Sequence, residues 1–549
     1  MESELTDHGK IEITYLEKNK SVFGVGLFSI IGLPLLWVFS HYLRDEMSFY
    51  YDEVVDLVSI YGMPNNCENI HAVTNLSVSV GCIPIQSGVP YVGAVRTFLL
   101  LPIVKLGLLT PTTLTFIMLT VYSLSFFLVQ KLMKILGITR RVYLPVTLLF
   151  AFAPFLWLNS AFDFGPVSFQ FLFRTLLLIE VFRQLDDPKR GFGRVFVYSA
   201  LLIWGKLDSL FFLFFPLAIL IFNRLLFQKA PKKSRVGIYA TITLYCISFT
   251  YALKISQSHS ENLFGQTIHA IWTIIPANLI YSVFNIVYPN QYPVSWLTLG
   301  RIFLFLIILL AILHSVISLR RFLQNSKPVD LFYFTCSLTI LGVIASICLV
   351  SNATAPWHTF LMFPSVILLF ANIINQILQK SHPIRFSLTG VMILPLVMAL
   401  TFNLTFLKVD ESKINPLLST SLIREVDSRI RLYEIHSGDA IAFVNWGDYN
   451  RFLLTRKTSD EIIRDLWDVW PWFDNNDPAK TTEFLDWVTT DGPWSAYNKI
   501  LFVQSSLSAP GLRSSLIETI QIEGWEIDKV NKFSGEGNDV IFVLLKKLT

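Results

Sequence analysis

Charge is scarce in this sequence. Only 15% of its 549 residues are Asp, Glu, Lys or Arg, against about 25% in soluble globular chains. With 53% hydrophobic residues and a mean hydropathy of +0.53, that scarcity excludes an ordinary water-soluble protein. The basic residues lie in short clusters between apolar runs, so no basic face is offered to nucleic acid. Phosphate loops, Gly-x-Ser-x-Gly elbows and dinucleotide fingerprints are missing. His, Cys, Asp and Glu do not cluster at metal-ligand spacing, so a divalent metal has no support and no cofactor is implied. Cysteine is rare, with five in the chain. Cys246, Cys336 and Cys348 lie in apolar runs as small hydrophobes. Cys67 and Cys82 could pair in an oxidising compartment or stay free, since spacing alone does not fix their geometry. No small-residue cleavage site follows the first apolar run, which reads as a retained helix.

What the chain has is long hydrophobic runs. Spans of about 20 apolar residues fall near 22–42, 111–131, 142–158, 166–183, 194–204, 209–226, 236–253, 301–319, 330–350, 359–378 and 384–405. Lys and Arg alternate between connections. They crowd at Lys131 to Arg141, Arg183 to Arg194, Arg224 to Arg235, Arg320 to Lys327 and Lys380 to Arg385, and are sparse in the intervening loops. By the positive-inside rule the N-terminus is cytoplasmic. The expected fold is an α-helical polytopic membrane protein of about eleven spans with a small C-terminal extracytoplasmic α/β domain. Residues 1–21 are then a cytoplasmic tail, 22–408 the transmembrane domain with a long first external loop over 43–110, and 409–549 the external domain. Within the last, 442–444, 499–503 and 540–545 predict strands, and 418–434, 449–456 and 511–523 predict helices. The cytoplasmic connections are too short to hold a nucleotide-binding domain.

Four features carry titratable groups at or near the lipid. Asp52-Glu53 follows the first span, as a solvated charge pair or as a general base at the membrane surface. Trp204-Gly205-Lys206-Leu207-Asp208-Ser209 interrupts an apolar stretch from Val195 to Phe222 that has basic residues at both ends. So few residues cannot make two full spans, and Lys206 and Asp208 fall at membrane depth, where ionisable groups are costly. They read either as a pair pinning two helices or as a site for an anion such as phosphate. Asp163 sits in the turn Asn159 to Pro166, as a helix cap or a site residue. Arg174 lies two turns further on, inside the span, where it needs an anionic partner. His358 opens a late span in Ala355-Pro356-Trp357-His358, as a structural histidine or a site residue.

The order and sidedness of these motifs resemble the C-type membrane glycosyltransferases, in the branch of the protein O-mannosyltransferases and aminoarabinose transferases. Asp52-Glu53 matches their acidic pair, although Tyr50 and Tyr51 precede it where the related enzymes place a tyrosine after it. Pro90-Tyr91-Val92-Gly93-Ala94, followed by Pro102 and Leu106-Gly107, looks like their Tyr-x-Gly segment. Asp163 to Pro166 with Arg174 looks like a second external turn, Trp204 to Asp208 like a Trp-x-Lys segment, and His358 with Pro364 like the opening of a late span. The resemblance implies inverting transfer of a sugar from a polyprenyl-phosphate donor to a glycan, lipid or protein acceptor outside the cytoplasm. Asp52 would be the base, with Glu53 orienting. Tyr91, Asp163, Arg174, Lys206, Asp208 and His358 would bind substrate. A bacterial inner membrane is favoured over an endoplasmic reticulum membrane. The competing reading is a transporter or flippase of a lipid-linked substrate, which would also place charges at membrane depth.

Overall fold

A computed structural model describes residues 79–80, 83–84, 93–151, 167–227, 232–256, 270–276, 294–349, 357–380, 420–436, 438–443, 452, 463–465, 495–505, 524–535 and 538–548. The predicted spans 22–42 and 384–405 lie outside them, as do the positions of Asp52, Glu53, Tyr91 and Asp163.

The helical part begins with α1 (Val95–Lys105), α2 (Pro111–Ile135), α3 (Arg140–Ala151), α4 (Val167–Asp186), α5 (Gly193–Gly205) and α6 (Ser209–Phe222). It continues with α7 (Lys232–Ser256), α8 (Val294–Asn325), α9 (Pro328–Leu349), the single turn α10 (Trp357–Phe360) and α11 (Phe363–Lys380). Four of these, α2, α7, α8 and α9, contain segments long and apolar enough to cross a membrane. Each falls on a predicted span. The start of α2 is fixed chemically: Thr110 Oγ1 accepts from the Thr113 amide at 3.1 Å, and Pro111 stands at the first helical position.

α4 is the central helix. It packs on α2, α5, α6, α9, α10 and α11, and is buried nearly all round, polar residues included. Its Phe171 joins Tyr122 and Phe126 of α2 and Phe360 of α10 in one aromatic cluster, with centroids 5.2 Å from Phe126 and 5.6 Å from Phe360. α8, by contrast, turns Ile302, Phe305, Leu313 and Val316 outward, as a lipid-facing helix does. Lipid gives no hydrophobic reason for helices to associate, so its inner face needs polar contacts. His314 supplies them. Its Nδ1 lies 3.1 Å from Ser318 Oγ and 3.4 Å from Ser337 Oγ of α9, and its Nε2 lies 2.9 Å from Asn372 Nδ2 of α11.

α1 was not foreseen as a helix. It occupies the end of the predicted first loop and has Arg96 and Thr97 fully buried. α5 and α6 are two short helices, as the stretch from Val195 to Phe222 predicts. With 13 residues, α5 rises only about 20 Å, less than the roughly 30 Å of hydrocarbon.

Toward the C-terminus, α12 (Thr420–Ile430) and a 3₁₀ turn (Arg431–Tyr433) precede a five-stranded sheet. A separate two-stranded ribbon, β1 (Ser79–Val80) and β2 (Ile83–Pro84), lies earlier in the chain. The sheet consists of β3 (Ala440–Phe443), β4 (Ile463–Asp465), β5 (Lys499–Ser505), β6 (Trp525–Gly535) and β7 (Asn538–Lys547), in the order β4-β3-β5-β7-β6. β3 is parallel to both β4 and β5, while β7 runs antiparallel to β5 and β6. β3 is buried at every position, as a strand covered on both faces must be. The predicted strands 442–444, 499–503 and 540–545 fall on β3, β5 and β7, and the predicted helix 418–434 falls on α12 and its 3₁₀ turn. The predicted helix 511–523 and nearly all of 449–456 lie outside the described residues.

Candidate functional site

The turn between α5 and α6 organises the site. α5 ends because Lys206 leaves the helix in extended conformation, with φ −165° and ψ 129°. The chain re-enters a helix at Ser209, whose amide donates to the Lys206 carbonyl at 3.1 Å. This places Lys206, Asp208 and Ser209 on one short arc against α4.

Two glycines let three segments meet there. The Gly93 amide, at the start of α1, donates to the Gly205 carbonyl at 3.3 Å. A Cβ at Gly93 would stand 1.5 Å from the Trp204 carbonyl oxygen, and one at Gly205 would stand 2.0 Å from Gln170 Nε2. At Gly93 the obstacle is backbone, so only glycine permits that approach. The ring of Phe98 in α1 closes over Trp204 at 5.5 Å. The tertiary structure thus joins the end of the Pro90 to Ala94 motif to the Trp204 to Asp208 motif.

The charges follow. Lys206 Nζ lies 3.3 Å from Asp208 Oδ2, and Arg174 Nη2 lies 3.9 Å from Asp208 Oδ1. Arg174 Nη2 also donates to Ser209 Oγ at 3.3 Å and to Gln170 Oε1 at 3.4 Å. Ser209 Oγ donates to the same Gln170 oxygen at 2.7 Å, and Gln170 Nε2 donates to the Leu202 carbonyl at 3.3 Å. The Phe212 ring lies 5.8 Å from the guanidinium carbon. Arg174 is 1% exposed and Lys206 2%. Two cations thus share one carboxylate in a site shielded from water. Arg174 Nε and Nη1 find no hydrogen-bond partner among the described residues. A guanidinium offers five N–H donors, so Arg174, held beside a second cation, has donor capacity to spare. That combination suits an anion with several oxygens.

Of the residues singled out in the sequence, Arg174, Lys206 and Asp208 are brought together. His358 lies in α10, whose Phe360 touches Phe171, three residues before Arg174 on α4. The His358 side chain lies outside the described residues, as do Asp52, Glu53, Tyr91 and Asp163. Sequence reasoning passed over Gln170, Ser209 and Arg96. Gln170 stands four residues before Arg174, one helical turn away, which a search for polar residues along the apolar run would have found. Arg96 falls within the predicted first loop, 43–110. It is fully buried and bonded in the first turn of α1, three residues beyond Gly93.

No protein-family model matches the chain, and no curated protein matches it. Among solved structures it is similar to the apo oligosaccharyltransferase of Archaeoglobus fulgidus, at a TM-score of 0.46 and 10% identity, over 85% of this chain and 69% of that one. The archaeal enzyme in complex with zinc and sulfate is similar at a TM-score of 0.42 and 11% identity, over 86% and 67%. The oligosaccharyltransferase AglB of Archaeoglobus fulgidus, in complex with an inhibitory peptide and a dolichol-phosphate, is similar at 0.45 and 11%, over 86% and 70%. At such scores and identities the likeness assigns neither a fold nor an activity to this chain.

Proposed function

We propose that the protein is an integral-membrane glycosyltransferase that moves a sugar from a polyprenyl-phosphate donor to an acceptor hydroxyl. The observation that carries this reading is the Arg174–Lys206–Asp208 cluster. It is a desolvated site in which Arg174 keeps N–H groups unpartnered among the described residues, and at membrane depth a phosphate attached to a lipid chain would reach it. Burying guanidinium N–H groups without acceptors is costly, and the oxygens of a donor phosphate supply them. The motif order read from the sequence supports the same chemistry.

In this reading Asp52 takes the proton of the acceptor hydroxyl while its oxygen attacks the anomeric carbon. The bond from that carbon to the phosphate oxygen breaks, the configuration inverts, and the lipid phosphate leaves with its electron pair. Lys206 and Arg174 stabilise the charge that develops on it. Glu53 orients Asp52, and Tyr91, Asp163 and His358 contribute to binding. The acceptor reaches the site from the extracytoplasmic side, into which the C-terminal sheet also projects.

The test is transfer in membranes from a radiolabelled polyprenyl-phosphate sugar. Wild type is expected to release label to an acceptor, whereas a flippase would move the lipid unchanged. Asp52→Asn is expected to lower transfer by roughly 10²–10⁴ while insertion is kept. A fully active Asp52→Asn protein would sink the assignment of the base. A Lys206→Gln protein with unaltered donor affinity would sink the assignment of the phosphate site.

A further inference from the structure

The Gln170 amide ties both cations of the site to one frame. Gln170 is 1% exposed and lies one helical turn before Arg174 on α4. Its Nε2 donates to the Leu202 carbonyl at 3.3 Å, and the same carbonyl accepts from the Lys206 amide at 3.0 Å. One acceptor in the last turn of α5 thus fixes the start of the Lys206 turn and the way round the Gln170 amide stands. The opposite orientation is excluded chemically. The Leu202 carbonyl can only accept, and the Arg174 guanidinium can only donate. Gly205 leaves room for this, since a Cβ there would stand 2.0 Å from Gln170 Nε2.

The frame decides which guanidinium hydrogens remain. Gln170 Oε1 accepts from Arg174 Nη2 at 3.4 Å and from Ser209 Oγ at 2.7 Å. The Ser209 hydroxyl gives its hydrogen to Gln170, so toward Arg174 its oxygen is an acceptor, and it receives Nη2 at 3.3 Å. Both Nη2 hydrogens are then engaged. Nε and Nη1 are the atoms left without a hydrogen-bond partner among the described residues. Remove the Gln170 amide, and the Ser209 hydroxyl is free to turn while the long Arg174 side chain regains its rotamers.

We propose that Gln170 is a positioning residue for the phosphate of the lipid-linked donor. It holds Arg174 Nη2 against Ser209, so that Nε and Nη1 are the donors presented to the phosphate oxygens. It does so from the carbonyl that also sets Lys206. The proposal rests on the reading of Arg174 and Lys206 as a phosphate site, and adds a residue that acts through Arg174. Donors fixed in advance stabilise a phosphate charge without reorganising when it arrives. A bond that merely pinned α4 to α5 would affect every ligand alike, whereas one that positions Arg174 affects ligands that carry a phosphate.

Binding of a polyprenyl phosphate and of the polyprenol of equal chain length to the purified full-length protein, followed by native mass spectrometry, tests this. Wild type is expected to prefer the phosphate. Gln170→Met keeps the length of the side chain and removes the amide. It is expected to weaken phosphate binding about tenfold, the scale of one hydrogen bond to a charged group, and to leave polyprenol binding unchanged. In an Arg174→Met background the same substitution is expected to change neither affinity, because the residue it acts through is gone. Equal weakening for both ligands, or an undiminished effect in the Arg174→Met background, would overturn the proposal in favour of a simple pin between helices. A phosphate preference that survives intact in Gln170→Met overturns it too, and leaves the phosphate site standing. A wild type with no preference for the phosphate removes the site itself and the proposal with it. Should Gln170→Met fail to fold, Gly205→Ala, whose methyl group displaces the Gln170 amide and leaves Arg174 and Ser209 unsubstituted, is decided by the same ratio of affinities.

Discussion

Arg174 and Lys206 converge on one carboxylate: Asp208 Oδ1 lies 3.9 Å from the guanidinium and Oδ2 lies 3.3 Å from the ammonium. The shared anion makes the three positions unequal. Asp208→Asn takes the shared carboxylate from two buried cations and is expected to destabilise by on the order of 3–5 kcal/mol. Lys206→Met keeps an Arg174–Asp208 pair and is expected to cost less than half as much. Thermal unfolding of the purified variants in one detergent checks the ranking, and an Asp208→Asn protein as stable as Lys206→Met would contradict it.

The two glycines at the site differ in what a methyl group would strike. At Gly93 the obstacle is backbone, the Trp204 carbonyl, which cannot swing away. At Gly205 it is the end of the Gln170 side chain, which can. Gly93→Ala is expected to lose folded protein, with a cost at or above the roughly 1–3 kcal/mol of an overpacked core. Gly205→Ala is expected to fold with a smaller loss, because Gln170 gives up its bonds to Leu202 and Ser209. Folded yield by size exclusion, with melting temperature, measures both.

His314 fastens a lipid-facing helix. Its replacement by Leu removes the contacts to Ser318, Ser337 and Asn372 and leaves the Asn372 amide on α11 unmet, while Ser337 keeps its bond to the Tyr333 carbonyl. A loss of about 1–3 kcal/mol is expected, with His314→Gln recovering part of it. A cysteine pair introduced across α8 and α9 would report the loosening as slower disulfide formation in His314→Leu than in wild type.

Tyr433 gives the sheet region an alkaline limit. Asn531 Nδ2 donates to its hydroxyl at 2.7 Å, and its ring stacks on Phe542 at 5.8 Å. Burial pushes its phenol above the ordinary 10.0, and the Asn531 bond and the Arg429 charge pull the other way without cancelling it. The folded state therefore favours the neutral phenol. That contribution is whole below the unfolded value near 10.0 and is lost as pH rises through it toward the higher folded value. Unfolding midpoints of full-length protein followed from pH 8 to about 11 are expected to fall less steeply for Tyr433→Phe than for wild type.

Much of the candidate site was legible because ionisable residues inside apolar runs stand out. Lys206, Asp208 and Arg174 were visible for that reason, and the shortness of the stretch from Val195 to Phe222 already placed the first two at depth. Arg96 was not, since a single arginine near a loop looks like ordinary surface charge until its burial is known. β6 was missed because it is an edge strand, Trp525 to Gly535, with Glu526, Asp528, Lys529 and Lys532 interleaved and a bulge between Ile527 and Lys529. Such charges protect an edge from pairing with other chains, and they also hide the strand from a hydrophobic pattern. β4 has three residues, too few for any period to show.

The sequence by itself determined that this is a membrane chain, where most of its described helices lie, and that charges enter the apolar layer near residue 206. Those are local properties, set by hydropathy, run length and the cost of burying charge. Only the tertiary structure decided that Gly93 meets Gly205, that Gln170 and Arg174 of α4 reach Ser209 and Asp208, and that Glu180 lies buried between Arg183 and Arg190. Each depends on how helices distant in sequence pack against α4, and no spacing along the chain encodes which faces meet.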